Sequence, residues 1–176
     1  IKNKIKKFIF ISSIKAIDQE HLYGKSKFEA EIELKKVFQN IKKTRLIIIR
    51  PGLVYGGNVK GNLKLIKNYL NFKILPILKY SHNKMSMIHV EDLVNLFIFL
   101  SLINLDSPKV IEAHDGKKYS TEDVFISIYK KIHKKNYLTS VDIKFLSKLP
   151  FLKIFFKKLY NDSFFKSNHL EEIGFK

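Results

Sequence analysis

Two short runs of unbroken apolar residues, Phe8 to Ile11 and Leu46 to Ile49, constrain this chain more than any other feature. Neither alternates with polar residues, which is the pattern of strands covered on both faces in a parallel sheet. Between them, Tyr23, Lys27, Ala30, Leu34, Val37 and Ile41 recur at offsets 0, 4, 7, 11, 14 and 18, one stripe of a helix with 3.6 residues per turn. Strand, helix, strand in this order is a βαβ unit, whose crossover is almost always right-handed. The expected fold class is α/β.

Further along, Gly52 to Asn62 carries four glycines (Gly52, Gly56, Gly57, Gly61) and reads as a loop before an amphipathic stretch from Leu63 to Leu70. Met85 to Val90 is a short strand candidate. Glu91 and Asp92 then place negative charge at the start of a helix running to about Ile103, as the helix dipole favours. Val110 to Ala113 reads as a third strand and Asp115-Gly116 as a turn. Ser120 or Thr121 is the N-cap of a helix from Glu122 to about His133. No internal repeat is visible.

Composition removes several function classes. With no cysteine, disulfide frameworks, thiolate metal sites and cysteine nucleophiles are excluded. The six histidines include no HxxxH or HxxH pair, so a zinc-hydrolase reading loses its ligands and no metal is expected. The longest nearly apolar stretch, Leu96 to Ile103, is far short of the roughly 18 to 20 residues of a membrane span. No signal peptide is visible, and the expected location is cytoplasmic. The formal net charge is +17, but of 33 basic residues only Arg45 and Arg50 are arginine. Base readout and bidentate phosphate grips favour the planar guanidinium. Lysine, isoleucine, asparagine and phenylalanine all have codons rich in A and T, so the charge reads as the bias of an AT-rich genome on solvated surfaces. Specific nucleic-acid binding is not expected, and the lysines clustered at Lys4, Lys6 and Lys7 and within Lys130 to Lys135 are its only support.

The helical stripe holds a contradiction. Lys27 lies on the face that should be buried, one turn after Tyr23, and an unpaired buried ammonium is costly. Either Lys27 snorkels to solvent from an exposed helix start, or the two side chains belong together. A cation about 4 Å from a phenol is worth up to about 4 kcal/mol at an effective dielectric of about 20, which lowers a phenol pKa from near 10 by a few units at most. A tyrosine so placed becomes usable as a general base. Ser12 and Ser13 close the first apolar run at its carboxyl end, where open α/β sheets place ligands. His89 reads as a core histidine at a strand end and Asp92 as a first-turn helix residue. The run Phe151, Phe155, Phe156, Tyr160, Phe164 and Phe165 reads as a packed helix of a small lobe, with adsorption to an anionic membrane as the other reading.

FIFISS, YGKSKFEAE, RPGLVYG and MIHVEDL, in that order, resemble the extended short-chain dehydrogenase/reductases, and within them the NAD-dependent nucleotide-sugar epimerase/dehydratase family. VIEAHDG followed by STEDV extends the resemblance to a late strand, glycine turn and helix. The resemblance implies the C-terminal part of a Rossmann-type doubly wound sheet with a small mixed substrate-binding lobe. Residues 1–51 would end the NAD-binding domain, and 52–176 would be the substrate-binding part interleaved with late sheet elements. It implies Tyr23 as catalytic base and acid, with Lys27 binding the nicotinamide ribose and Ser13 the reacting sugar hydroxyl. Ser12 is the neighbouring alternative, Pro51 to Val54 would lie beside the nicotinamide, and Asn62 with Leu63 would approach the nucleotide-sugar phosphates or base. The family is often dimeric through helices like that of Tyr23, so a homodimer is expected.

The resemblance departs from the family pattern in three places. The glycine-rich dinucleotide fingerprint is absent and the chain begins at Ile1, so a piece of a longer protein is expected, binding NAD poorly by itself. Only nine residues separate Ser13 from Tyr23, where relatives usually have a longer loop. Met85 stands where they usually place a phosphate-gripping arginine, with Lys84 beside it as a substitute point charge. The expected reaction is NAD-dependent C4 epimerisation of a UDP-hexose. Reduction of a 4-keto sugar, dehydration and a non-catalytic remnant are the alternatives. Dehydration is disfavoured because Ile14 and Lys15, not an acid, follow Ser13.

Overall fold

The computed structural model describes residues 5–19, 22–57, 61–71, 77–79, 83–134, 140–142, 163–166 and 169–175. They divide into two compact units, Ile1–Gly56 with Ser86–Lys117 and Ser163–Lys176, and Gly57–Met85 with Lys118–Asp162. The first unit thus runs past residue 51 and takes the chain back twice.

In the first unit, β1 (Lys7–Ile11), α1 (Leu22–Gln39) and β2 (Arg45–Pro51) form the expected strand-helix-strand unit. β1 pairs parallel with β2, Phe8 opposite Leu46 and Ile11 opposite Ile49. On the other side of β2 lies β6 (Lys109–Ala113), again parallel, with Ile49 opposite Ile111. The class is therefore α/β with a parallel sheet, and β2 is its central strand.

The unbroken apolar run of β2 has a simple cause. Successive side chains of a strand point to opposite faces, and here both faces are cores. Ile47 and Ile49 join Ile88, Leu96, Leu100, Ile111, Ala113 and Leu170 on one face. Leu46 and Ile48 meet Phe38, Phe10, Leu34, Ile41 and Val110 on the other. Each such fully buried side chain contributes about 1.5–3 kcal/mol. β1, at the edge of the three strands, leaves Phe8 and Ile11 partly exposed.

α1 keeps part of the expected stripe inward, with Lys27, Ala30, Leu34 and, just past its end, Ile41 partly buried, but its most buried line lies beside it. Tyr23 and Val37 are 54% and 55% exposed, while Gly24, Glu31 and Phe38, spaced seven apart, are buried. The helix is turned so that glycine meets backbone at its start, and a carboxylate rather than an alkyl chain faces the sheet at its middle.

The second helix of this unit, α3 (Val90–Leu102), buries Leu96 and Leu100 against β2 and β6. Its last carbonyls lack intrahelical partners. The Lys7 ammonium supplies them, donating to the carbonyls of Leu100 at 3.2 Å, Ser101 at 2.5 Å and Ile103 at 2.5 Å. A short α5 (His169–Glu172) adds Leu170 to the same core.

The segment Gly52 to Asn62, expected as a loop, contains β3 (Leu53–Tyr55) and the first residues of a helix. β3 pairs parallel with β5 (Met87–His89). Gly52 makes this possible, since a Cβ there would overlap the Ser86 carbonyl that Leu53 N–H bonds at 2.8 Å.

The second unit contains α2 (Gly61–Leu70), α4 (Thr121–His133) and a parallel pair of β4 (Ile77–Lys79) with β7 (Ser140–Asp142). Ser120 caps α4, accepting from Asp123 N–H at 3.1 Å while the Asp123 carboxylate accepts from Ser120 N–H at 2.8 Å, a reciprocal capping box. Asn83 secures the same turn, donating to Thr121 Oγ1 at 2.8 Å and accepting from Thr121 N–H at 2.9 Å. α2 and α4 meet through Tyr69 and Phe125, and His133 Nε2 reaches the Leu70 carbonyl at 2.8 Å. Phe151, Phe155, Phe156 and Tyr160 of the aromatic run, like Lys4 and Lys135, lie outside the described residues.

Candidate functional site

Four candidate residues, Ser12, Ser13, Tyr23 and Lys27, gather at the carboxyl end of β1. The strand's pairing continues one residue past its end, Ser12 N–H donating to the Ile49 carbonyl at 2.7 Å. The chain then enters a tight 3-10 turn, Ile14–Ala16, capped by Ser13. Ser13 Oγ accepts from Lys15 N–H at 3.2 Å, a use of the oxygen that leaves its proton available for a second partner. Ile14 and Ala16 face inward and are buried.

α1 begins against this turn. A Cβ on Gly24 would overlap the Lys15 carbonyl oxygen, so a residue without a side chain is what lets the helix start here. Tyr23 therefore stands at the helix start beside the turn, its ring about half exposed. One turn later, the Lys27 ammonium donates to the Ile11 carbonyl at 2.9 Å. It also lies 5.0 Å from the centroid of the Phe10 ring and 5.9 Å from that of Tyr23. This resolves the contradiction in the helical stripe. Lys27 is half-buried, but its charge has a carbonyl acceptor and two ring faces within the range of cation-π attraction.

The two adjacent serines part ways. Ser13 stays half-buried at the turn, whereas Ser12 is buried and its hydroxyl donates its proton to Glu31 Oε1 at 2.5 Å. Glu31 is 1% exposed and is gripped by Arg50 through Nε to Oε1 at 2.9 Å and Nη2 to Oε2 at 2.5 Å. Neither Glu31 nor Arg50 stood out from the sequence. The usable signal was an acidic residue one turn beyond Lys27 on the inward stripe, and a cation closing an apolar strand.

Pro51 is buried at the end of β2 opposite Ala113, and Val54 packs its side chain inward against the core. The neighbouring Tyr55 is a second tyrosine at a strand end, in an opposite environment. Burial first, then the carboxylates of Asp115 and Asp92, push its phenol above the ordinary value near 10, so it stays protonated. Its ring meets His89 edge-on at 5.2 Å. His89 is the N-cap of α3, Nδ1 accepting from Glu91 N–H at 3.4 Å, and Asp92 lies in the first turn. Gly56, at φ +96°, has room for no side chain beside the His89 ring.

Three further candidates belong to the second unit. Asn62 is in the first turn of α2, with its side chain outside the described residues; Leu63 is buried in that unit's interior; Lys84 is exposed beside the buried Asn83. Among the described residues no group of acidic and histidine side chains could hold a metal ion, and no helix is long and apolar enough to cross a membrane.

Residues 1–93 match a family described as polysaccharide biosynthesis protein. A UDP-glucose 4-epimerase of Vibrio cholerae is 32% identical over 145 residues, 70% of this chain and 43% of that protein. The fold is similar to that of a UDP-N-acetylglucosamine 4-epimerase from Methanobrevibacter ruminantium solved with UDP-N-acetylmuramic acid, with a TM-score of 0.69 at 17% identity, covering 99% of this chain and 58% of that one. It is also similar to a Thermus thermophilus UDP-glucose 4-epimerase solved with NAD, with a TM-score of 0.56 at 19% identity, covering 77% and 50%. The chain spans about half the length of these relatives.

Proposed function

Because the chain belongs to the extended short-chain dehydrogenase/reductases, in the family of NAD-dependent epimerases and dehydratases, we propose that it is the C-terminal part of an enzyme that inverts C4 of a UDP-hexose. In this reading the first unit is the late part of a doubly wound sheet and the second is the sugar-binding lobe. The observation that carries it is the Lys27 ammonium, bonded to the end of β1 and 5.9 Å from the centre of the Tyr23 ring.

The residues fit the nicotinamide end of NAD. Lys27 has three N–H donors and commits one to Ile11, so two remain for ribose hydroxyls. The pyrophosphate, which needs a glycine-rich turn at a helix start, would be held by residues this chain does not contain. When bound, NAD supplies hydride acceptance and return at C4, chemistry beyond any side chain.

Tyr23 takes the proton of the 4-hydroxyl as C4 is oxidised to the ketone, and gives it back to the oxygen when C4 is reduced on its other face. Lys27, 5.9 Å from the centre of the Tyr23 ring, would supply positive charge beside the proton transfer. Ser13 donates its free hydroxyl proton to the sugar oxygen. Within the second unit, Asn62, Leu63 and Lys84 would be the nucleotide-sugar-binding residues.

One observation favours epimerisation over dehydration. The residue after Ser13 is Ile14, turned into the interior, so no acid stands there to protonate a leaving hydroxyl. The test is turnover of UDP-glucose with NAD by the protein expressed from its complete gene, with product identified. Tyr23→Phe is expected to lose about a hundredfold or more in kcat with NAD still bound. Full activity in that variant overturns the reading, and a 4-keto-6-deoxy product replaces epimerisation with dehydration.

A further inference from the structure

Lys27 and Glu31 are successive rungs of α1, and the two residues they hold are consecutive, Ile11 at the end of β1 and Ser12 just past it. Lys27 takes the Ile11 carbonyl and Glu31 takes the Ser12 hydroxyl. Glu31 is itself immobilised from the neighbouring strand by the forked guanidinium of Arg50. Burial of apolar surface is nondirectional, so the area covered does not by itself select the rotation of a helix on a sheet. Two polar fastenings at adjacent positions constrain that rotation.

The energetics of burial point the same way. Glu31 is 1% exposed and the Arg50 side chain 16%. Replacing a buried ion pair with apolar residues of similar volume is often neutral or stabilising, since two charges no longer have to leave water. Stability alone therefore does not account for this pair.

We propose that Glu31, held by Arg50 and acting through Ser12, is a positioning residue that sets the rotation of α1 and so keeps Lys27 on the Ile11 carbonyl beside Tyr23. The proposal rests on the reading of that pair given above. Glu31 touches neither sugar nor cofactor. Its effect on the reaction passes through where α1 places the two side chains one and two turns before it.

The test uses Ser12→Ala and the double variant Glu31→Leu/Arg50→Met in the protein expressed from its complete gene. Three quantities are read: Tm, nuclear Overhauser cross-peaks from the Lys27 side chain to the Phe10 and Tyr23 rings, and kcat with KM for UDP-glucose. Both variants are expected to keep Tm near the parent's while the Lys27 cross-peaks weaken and kcat falls about ten- to a hundredfold at unchanged KM. A folded double variant that retains both cross-peaks and kcat overturns the proposal. Should the double variant fail to fold, Ser12→Ala decides by the same criteria. A parent protein without turnover, whose Lys27 cross-peaks nonetheless weaken in the variants, overturns the proposed reaction and leaves the positioning role standing.

Discussion

The Cα of Gly24 rests against the carbonyl of Lys15 with no space for a methyl group between them. That contact joins the first turn of α1 to the turn after β1, and it sets how closely the helix start, with Tyr23, approaches that turn. Gly24→Ala must push α1 away from the turn. It is expected to cost about 1–3 kcal/mol, as overpacking does, measurable as a lowered urea midpoint. Because the neighbouring Tyr23 moves with the helix start, turnover should fall by more than the loss of folded protein accounts for.

Lys27→Met keeps the length and apolar stem of the side chain but removes the charge that meets Ile11 O, Phe10 and Tyr23. Stability should change by only about 1 kcal/mol, the usual net worth of one hydrogen bond. Steady-state kinetics should show kcat reduced at least about tenfold, with a higher KM for NAD, because the same ammonium would bind the ribose. A variant with parental kinetics would remove Lys27 from the site.

The alkaline limb of stability should carry the mark of Tyr55. Its phenol titrates above 10 in the folded chain, through burial and the Asp115 and Asp92 carboxylates. A group whose folded pKa lies above its unfolded value contributes stability that is complete below the unfolded value and lost as pH rises through the folded one. Denaturation followed from pH 9 upward should therefore show stability falling above about pH 10, and less steeply in Tyr55→Phe. Tyr69, also raised by burial, leaves a residual slope.

In the second unit, Ser120→Ala removes half of the capping box at α4. The expected loss is about 0.5–2 kcal/mol, and amide exchange should quicken first at Thr121, Glu122 and Asp123. Asp123→Asn keeps the geometry and should cost less.

Much of the architecture was legible from residue order alone. The runs in β1 and β2 announced a parallel sheet because a strand covered on both faces has no position for a polar side chain. Asp115-Gly116 and the Ser120 cap were equally readable, since turns and caps depend on neighbours within a few residues. β3 was missed because its three residues gain their partners from β5, more than thirty positions away. The inward face of α1 was read only in part: Leu34 and Ile41 do pack on the sheet, but periodicity counts apolar residues, and the most buried positions include a glycine and a glutamate.

Local sequence thus determined the strand-helix-strand order, the parallel class and the identity of the tyrosine and lysine one turn apart, all of which follow from side-chain period and spacing. Only the tertiary structure decided which serine stays half-exposed at the turn and which faces the interior, and what neutralises the cost of a half-buried ammonium. Those outcomes depend on Ile11, Glu31 and Arg50 converging from separate elements. An isolated stretch of chain cannot specify the partner of a buried charge, because the energy that decides its place comes from atoms brought near it by folding.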